Sequence, residues 1–285
     1  MSFGPKPWQQ AHWDWRAAGN FMCGGAGAGL IVFTALARAG APAEALLLLA
    51  GLALVGLGLL CVWLEIGRPM RALHVFFNPR TSWMTREGFV AVLLFPAGLA
   101  AAAGVPGLVW VAAALALVFV YCQARILKAA RGIPAWREPL IVPLVIATGL
   151  AEGGGLFLLS APLHRAAGPW LVLLFAVLVL ARWLAWNAYR RRLAASAVAR
   201  ALAALDAAAR PMRWAGTLAA LVLAALALVL GFAAGSGGAA ALIAAALAGA
   251  GASLTGAWLK YTLITRAAFN QGFALSKLPV RGVRP

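Results

Sequence analysis

Eight times along this chain a stretch of about 20 residues runs almost free of charge, the length a helix needs to cross a hydrocarbon core at about 1.5 Å per residue. The runs lie near residues 17–38, 43–64, 87–103, 107–122, 139–160, 168–189, 214–234 and 239–261. Only Gly104, Val105 and Pro106 separate the third from the fourth, and a Gly-Ser-Gly-Gly turn separates the seventh from the eighth. Backbone groups in lipid must find their partners within the segment, so the runs are expected to be helices; the alternation of a membrane barrel is missing. Composition agrees: 64% of the 285 residues are hydrophobic and 11% charged, against roughly 25% charged in soluble domains. The expected fold class is an all-α integral membrane protein, an eight-transmembrane-helix bundle. It forms a single membrane domain over 1–285, with an N-terminal tail to residue 16, helices over 17–265 and a C-terminal tail over 266–285.

The net charge of +17 would suggest nucleic acid on a soluble protein. Here the basic residues sit between apolar runs, where they set orientation. Lys6, Arg16, the groups around Arg68–Arg86, Arg125–Arg137 and Arg182–Arg213, and Lys260, Arg266, Lys277, Arg281 and Arg284 fall on the N-terminal side of the bundle. Those are 22 residues; the other side has Arg38 and Arg165. Both termini are therefore expected in the cytoplasm. The first apolar run lacks an A-x-A cleavage site, so the N-terminus is expected to be retained. Cys23, Cys61 and Cys122 share no ligand spacing, so no metal site is expected. Gly24–Gly29 lies within an apolar run with no preceding strand; Gly25 and Gly29, four apart, suit close helix packing rather than nucleotide binding.

Polar groups at membrane depth are costly, roughly 2.5–3.5 kcal/mol for a central charge on insertion scales, and few. Asn20 starts the first run; its amide can donate to a ligand carbonyl or to a neighbouring helix. Tyr121 ends the fourth run at the same level, where it also suits an interfacial aromatic belt. Glu65 closes the second run, able to exchange protons or to pair with Arg68 or Arg71. Glu152 lies 14 residues beyond Glu138, roughly 21 Å deep, and is expected to serve a proton relay or polar packing. Arg182, two turns inside the sixth run, is expected to join that relay or to snorkel to the interface. His12, His74 and His164 all fall outside the helix centres, so no haem is expected.

The segment after the second run alternates basic and bulky apolar residues, which suits an interfacial position. It begins Gly67-Arg68-Pro69 and ends Asn78-Pro79-Arg80-Thr81-Ser82-Trp83-Met84-Thr85-Arg86-Glu87. Further on come Arg125-Ile126-Leu127-Lys128, Ile133-Pro134-Ala135-Trp136, Pro139-Leu140 and Thr148-Gly149-Leu150. These motifs resemble the NrfD/PsrC/DmsC family, the membrane anchors of nitrite, polysulfide and dimethyl-sulfoxide reductase complexes, with the dimethyl-sulfoxide-reductase branch most similar. The resemblance extends over most of residues 8–160. The start Lys6-Pro7-Trp8-Gln9-Gln10 resembles the anchor of phenylacetyl-CoA:acceptor oxidoreductase.

The resemblance implies a subunit without a metal centre, in a bacterial inner membrane. It would exchange electrons between an Fe–S subunit, itself joined to a molybdopterin catalytic subunit, and the quinone pool (ubiquinone or menaquinone). The quinone-binding residues it implies are Asn20, Cys23 (where the polysulfide-reductase member has histidine) and Tyr121; Arg68, at the same level, is expected to join them. Glu65 and His74 are expected to handle protons. Arg71, Arg80, Trp83 and Arg86 are expected to dock the partner on the cytoplasmic side. The alternatives are a secondary transporter, which would need polar groups near the midplane, and a purely structural anchor.

Overall fold

A computed structural model describes residues 7–38, 40–66, 69–234 and 238–272, with the side chains of 69–72 and 234 outside that description. Among these residues the chain is helical, and eight helices are long and apolar enough to cross a membrane. They are α1 (Trp15–Ala37), α2 (Ala41–Glu65), α3 (Trp83–Ala102), α4 (Leu108–Ala129), α5 (Ile141–Leu159), α6 (Pro169–Leu193), α7 (Ala199–Ala233) and α8 (Ala239–Thr265).

Caps explain several of the starts. The Asp14 carboxylate accepts from the Arg16 backbone N–H and pairs with the Arg16 guanidinium at 2.9 Å. That bond holds the Asp14 carboxyl below its usual range. Ser82 accepts from Thr85 N–H and opens α3 four residues earlier than the apolar pattern suggests. Prolines in the first turn of α2 and α6 use positions that need no N–H.

The helices form two groups of four. α1 packs on α2 and α4, and α3 on α4; α5 packs on α6 and α8, and α7 on α8. The groups meet where α1 lies along α5. Glycine makes that seam. A methyl group on Gly153 would sit 2.1 Å from the Gly29 carbonyl carbon, and Gly25 faces Gly149 one turn away with more room. Within the second group α8 approaches α5 as closely: a methyl on Gly249 would sit 2.1 Å from Gly155 O. Without water to drive apolar surfaces together, such backbone-to-backbone approach is a main source of helix association in lipid. Gly153→Ala is therefore expected to destabilise the bundle by about 1–3 kcal/mol, since backbone cannot yield as a side chain would. Thermal unfolding of the solubilised protein measures this; an unchanged midpoint would mean that the seam is not tight.

Three features differ from the sequence reading. Residues 199–213, taken there as loop, form the amphipathic first part of α7, joined to its apolar part through a π turn at Trp214–Ala219. Ala201, Leu205, Ala208, Ala209 and Met212 form its buried face, against α8. Arg182 does not snorkel; it is fully buried, and its guanidinium donates to Ala252 O at 2.7 Å and Gly216 O at 2.6 Å. Lys260 does not belong to the C-terminal tail; it lies within α8 and is 2% exposed. The basic residues that can report orientation are therefore fewer by two, and the imbalance between the two sides stands.

Candidate functional site

The first helix is not regular. Asn20–Gly24 winds as a π turn inside α1. Such wide turns leave carbonyls poorly satisfied and recur at functional sites. Two buried side chains cover three of the carbonyls here: Gln123 Nε2 donates to Asn20 O at 2.9 Å, and Lys260 Nζ donates to Phe21 O at 2.5 Å and to Met22 O at 3.4 Å. The Asn20 side chain then points toward α3, where its Nδ2 donates to Glu87 Oε1 at 3.3 Å. Gln123 flanks the same carboxyl. Asn20, Glu87 and Gln123 are all buried, and Asn20 Oδ1 has no hydrogen-bond partner.

Two cavities meet at Glu87. One, of about 260 Å³, is lined by Trp13, Ala17, Asn20, Phe21, Val62, Glu65, Ile66, Met84, Glu87 and Ile126. The other, of about 520 Å³, is almost wholly apolar and lies between α2 and α3 beneath the 3-10 segment Pro69–Phe77. Leu60, Trp63, Leu73 and Val92 in its wall are all exposed, so this cavity opens on the surface that faces lipid. Val62, Ile66, Met84 and Glu87 belong to both walls. The two cavities thus abut at Glu87, one open on the lipid face and the other holding Asn20 and Glu65 at its polar end. Glu65 is half-buried at the helix end, one residue from Leu64, whose carbonyl accepts from Arg16 at 2.9 Å.

The structure thus brings Asn20 and Glu65 to one cavity and leaves other expected site residues outside it. Tyr121 lines neither cavity; its ring meets Trp83 edge-on, and its hydroxyl accepts from Arg125 at 2.6 Å. Cys23 is half-buried on the π turn and lines neither. His74 packs edge-on against Phe77, on the segment above the apolar cavity. Arg68 and the Arg71 side chain lie outside the described residues. Arg80 is exposed, and Arg86 donates to Pro79 O and Arg80 O while its guanidinium lies 4.2 Å above Trp83.

A second buried polar group lies behind the π turn. Lys260 Nζ is 2.5 Å from Glu152 Oε2, both side chains almost wholly buried. A methyl on Gly256 would meet both Glu152 Oε1 and Arg182 Nη1, so carboxylate and guanidinium face each other across that glycine. Lys260 thereby ties α8 to α5 and α1, and Arg182 ties α6 to α7 and α8.

The sequence reading missed Glu87, Gln123 and Lys260. Glu87 was read as a motif letter and Lys260 as a topology charge instead of as buried groups; Gln123, the first residue past the fourth apolar run, was passed over. Among the described residues no group of three or more His, Cys, Asp or Glu could hold a metal ion. Set against models of known protein families and against curated protein sequences, the chain matches none.

Proposed function

We propose that this chain is the quinone-reactive membrane subunit of a molybdopterin/Fe–S oxidoreductase, similar in kind to the NrfD/PsrC/DmsC anchors its loop motifs resemble. One observation carries the reading: Glu87, held by Asn20, is the common wall of a lipid-facing apolar cavity and a polar cavity that ends at Glu65. A quinone has those two halves, a long apolar tail and a ring with two hydrogen-bonding oxygens. The residues fit it, because the orphaned Asn20 Oδ1 and the Glu87 carboxyl offer polar contacts at the inner end of an otherwise apolar route.

When bound, the quinone would supply reversible two-electron, two-proton chemistry. The chain's own part is to position and to move protons. The Asn20–Glu87 bond and the Gln123 amide fix the carboxyl; Glu87 exchanges a proton at the ring end. Glu65, at the rim of the polar cavity, passes it to the aqueous side. Glu152 and Arg182 form a deeper polar group for proton relay or packing, and Lys260 ties it to the π turn by donating to Phe21 O and Met22 O. The arginine-rich face, with Arg80, Trp83 and Arg86, receives the Fe–S partner, and we assign that face to the cytoplasm of a bacterial inner membrane from the charge imbalance.

Native membranes test this. Gentle solubilisation should bring down an Fe–S protein and a molybdenum subunit with the chain. Asn20→Ala and Glu65→Gln should each lower quinone-linked turnover at least tenfold while that complex still assembles. Full turnover in both variants removes the site assignment, and a chain that purifies alone removes the class.

A further inference from the structure

A third cavity, of about 470 Å³, lies at the same end of the bundle on the other side of Trp83. Thr81, Trp83, Arg125, Lys128, Ala129, Arg131 and Arg137 line it. Four of those seven are cations, and no carboxylate is among them. The nearest acid in sequence, Glu138, is turned to Arg192 on α6, 3.4 Å away. The crowding of like charge is sharp. The Arg125 guanidinium lies 4.3 Å from the Trp83 ring centre and Arg86, outside the cavity wall, lies 4.2 Å from it, so one ring contacts two cations. Cations brought so close repel one another unless an anion sits among them.

The cavity's depth points to what that anion is attached to. Trp83 is the first residue of α3, and Arg125 and Lys128 are in the last turns of α4. This is the level where lipid headgroups lie and where Trp and Tyr gather. Below Arg125 on α4, Tyr121 is 38% exposed, with Val118 at 46% and Leu117 at 45%, an apolar strip running from the basic cavity into the lipid-facing surface. The Tyr121 hydroxyl, bonded to Arg125, marks the boundary between strip and cavity.

We propose that this cavity binds the phosphate headgroup of an anionic glycerophospholipid whose acyl chains lie along α4. A headgroup with two phosphates would match four cations better than one with a single charge, and basic pockets at helix ends bind such lipids. The site is separate from the Asn20–Glu87 chamber and shares Trp83 with the face proposed above to receive the Fe–S partner.

The test is native mass spectrometry of the full-length chain in detergent, titrated with diphosphatidylglycerol, phosphatidylglycerol or phosphatidylcholine. Diphosphatidylglycerol should be retained best and phosphatidylcholine least. Lys128→Gln with Arg131→Gln, which changes only groups at the cavity rim, should weaken the anionic lipids roughly thirtyfold, the effect of removing two basic residues from an anionic surface. Arg200→Gln with Arg210→Gln, which removes the same charge from exposed positions on α7, should leave binding as in the parent. Equal retention of phosphatidylcholine, or parent-like binding by the Lys128/Arg131 pair, overturns the proposal. So does displacement of the lipid by excess inorganic phosphate, which would mark a free-anion site. Binding of a polyglutamate peptide in place of any lipid also overturns it, because the face would then belong to an acidic protein.

Discussion

Lys260→Met is expected to cost about 3–5 kcal/mol of stability, the usual penalty for removing one partner of a buried ion pair. The variant keeps the length and apolar stem of the side chain, so the loss reads the ammonium alone. Three things go with it: the 2.5 Å contact to Glu152 Oε2, the donor to Phe21 O, and the donor to Met22 O. Glu152 is then left buried with Arg182 turned mainly to the carbonyls of Ala252 and Gly216. The loss falls on the seam where α1, α5 and α8 meet, so unfolding should become both earlier and less cooperative. Adding Glu152→Gln should restore much of the stability, because a neutral amide opposite a methionine leaves less uncompensated than a lone carboxylate. If Lys260→Met melts with the parent, the pair is not what holds the seam. The double variant also separates structure from relay. Should it fold and still turn over quinone at the parental rate, Glu152 and Lys260 serve packing, and the proton path runs through Glu65 alone.

The eight helices were legible because lipid imposes a simple rule: a segment of the right length with little charge must be helical to satisfy its own backbone. The ends of α3, α4 and α6 were misjudged for the same reason. Arg86, Arg125, Lys128 and Arg190–Arg192 look like loop by charge, yet the helices run through them, their polar ends reaching the headgroup level or a buried partner. The start of α7 was missed because its apolar residues repeat at helical spacing on one face only, and hydropathy alone reads that as a polar stretch.

At the site, the sequence placed Asn20 and Glu65 at the same level but could not tell which face of each helix they occupy. The π turn at Asn20–Gly24 decides that for Asn20, and no residue pattern announces such a turn. Tyr121 and Asn20 are equally near the boundary, yet the twist of α4 aims one at Trp83 and the lipid while Gln123, two residues on, faces the core. Lys260 was counted with loop charges because nothing in one sequence says that a lysine near a helix end is paired with a glutamate about a hundred residues away.

Glu87→Gln is expected to lower quinone-linked turnover by about 10²–10⁴, the range for removing a positioned proton-transfer group. The argument rests on a contrast between two buried carboxyl groups. Glu152 is pinned by an ion pair to a lysine with an arginine beside it. Glu87 has no cation within ion-pair distance among the described residues; its bonded neighbour is the amide of Asn20, which Gln123 in turn holds at the backbone. An amide can donate to a carboxylate or accept from a carboxylic acid, so this environment tolerates both states, as a proton-exchanging group requires. Glutamine has nearly the same shape and can still accept from Asn20 Nδ2, so folding and assembly should hold, and the Michaelis constant for quinone should change far less than turnover. That split distinguishes a proton-transfer residue from a merely structural one, whose loss would weaken assembly or binding instead. Turnover within twofold of the parent would take the role from Glu87. The lipid-facing cavity would then be a tail channel whose polar end works through Glu65, and Asn20 would be bonded to a carboxyl that only props α3 against α1.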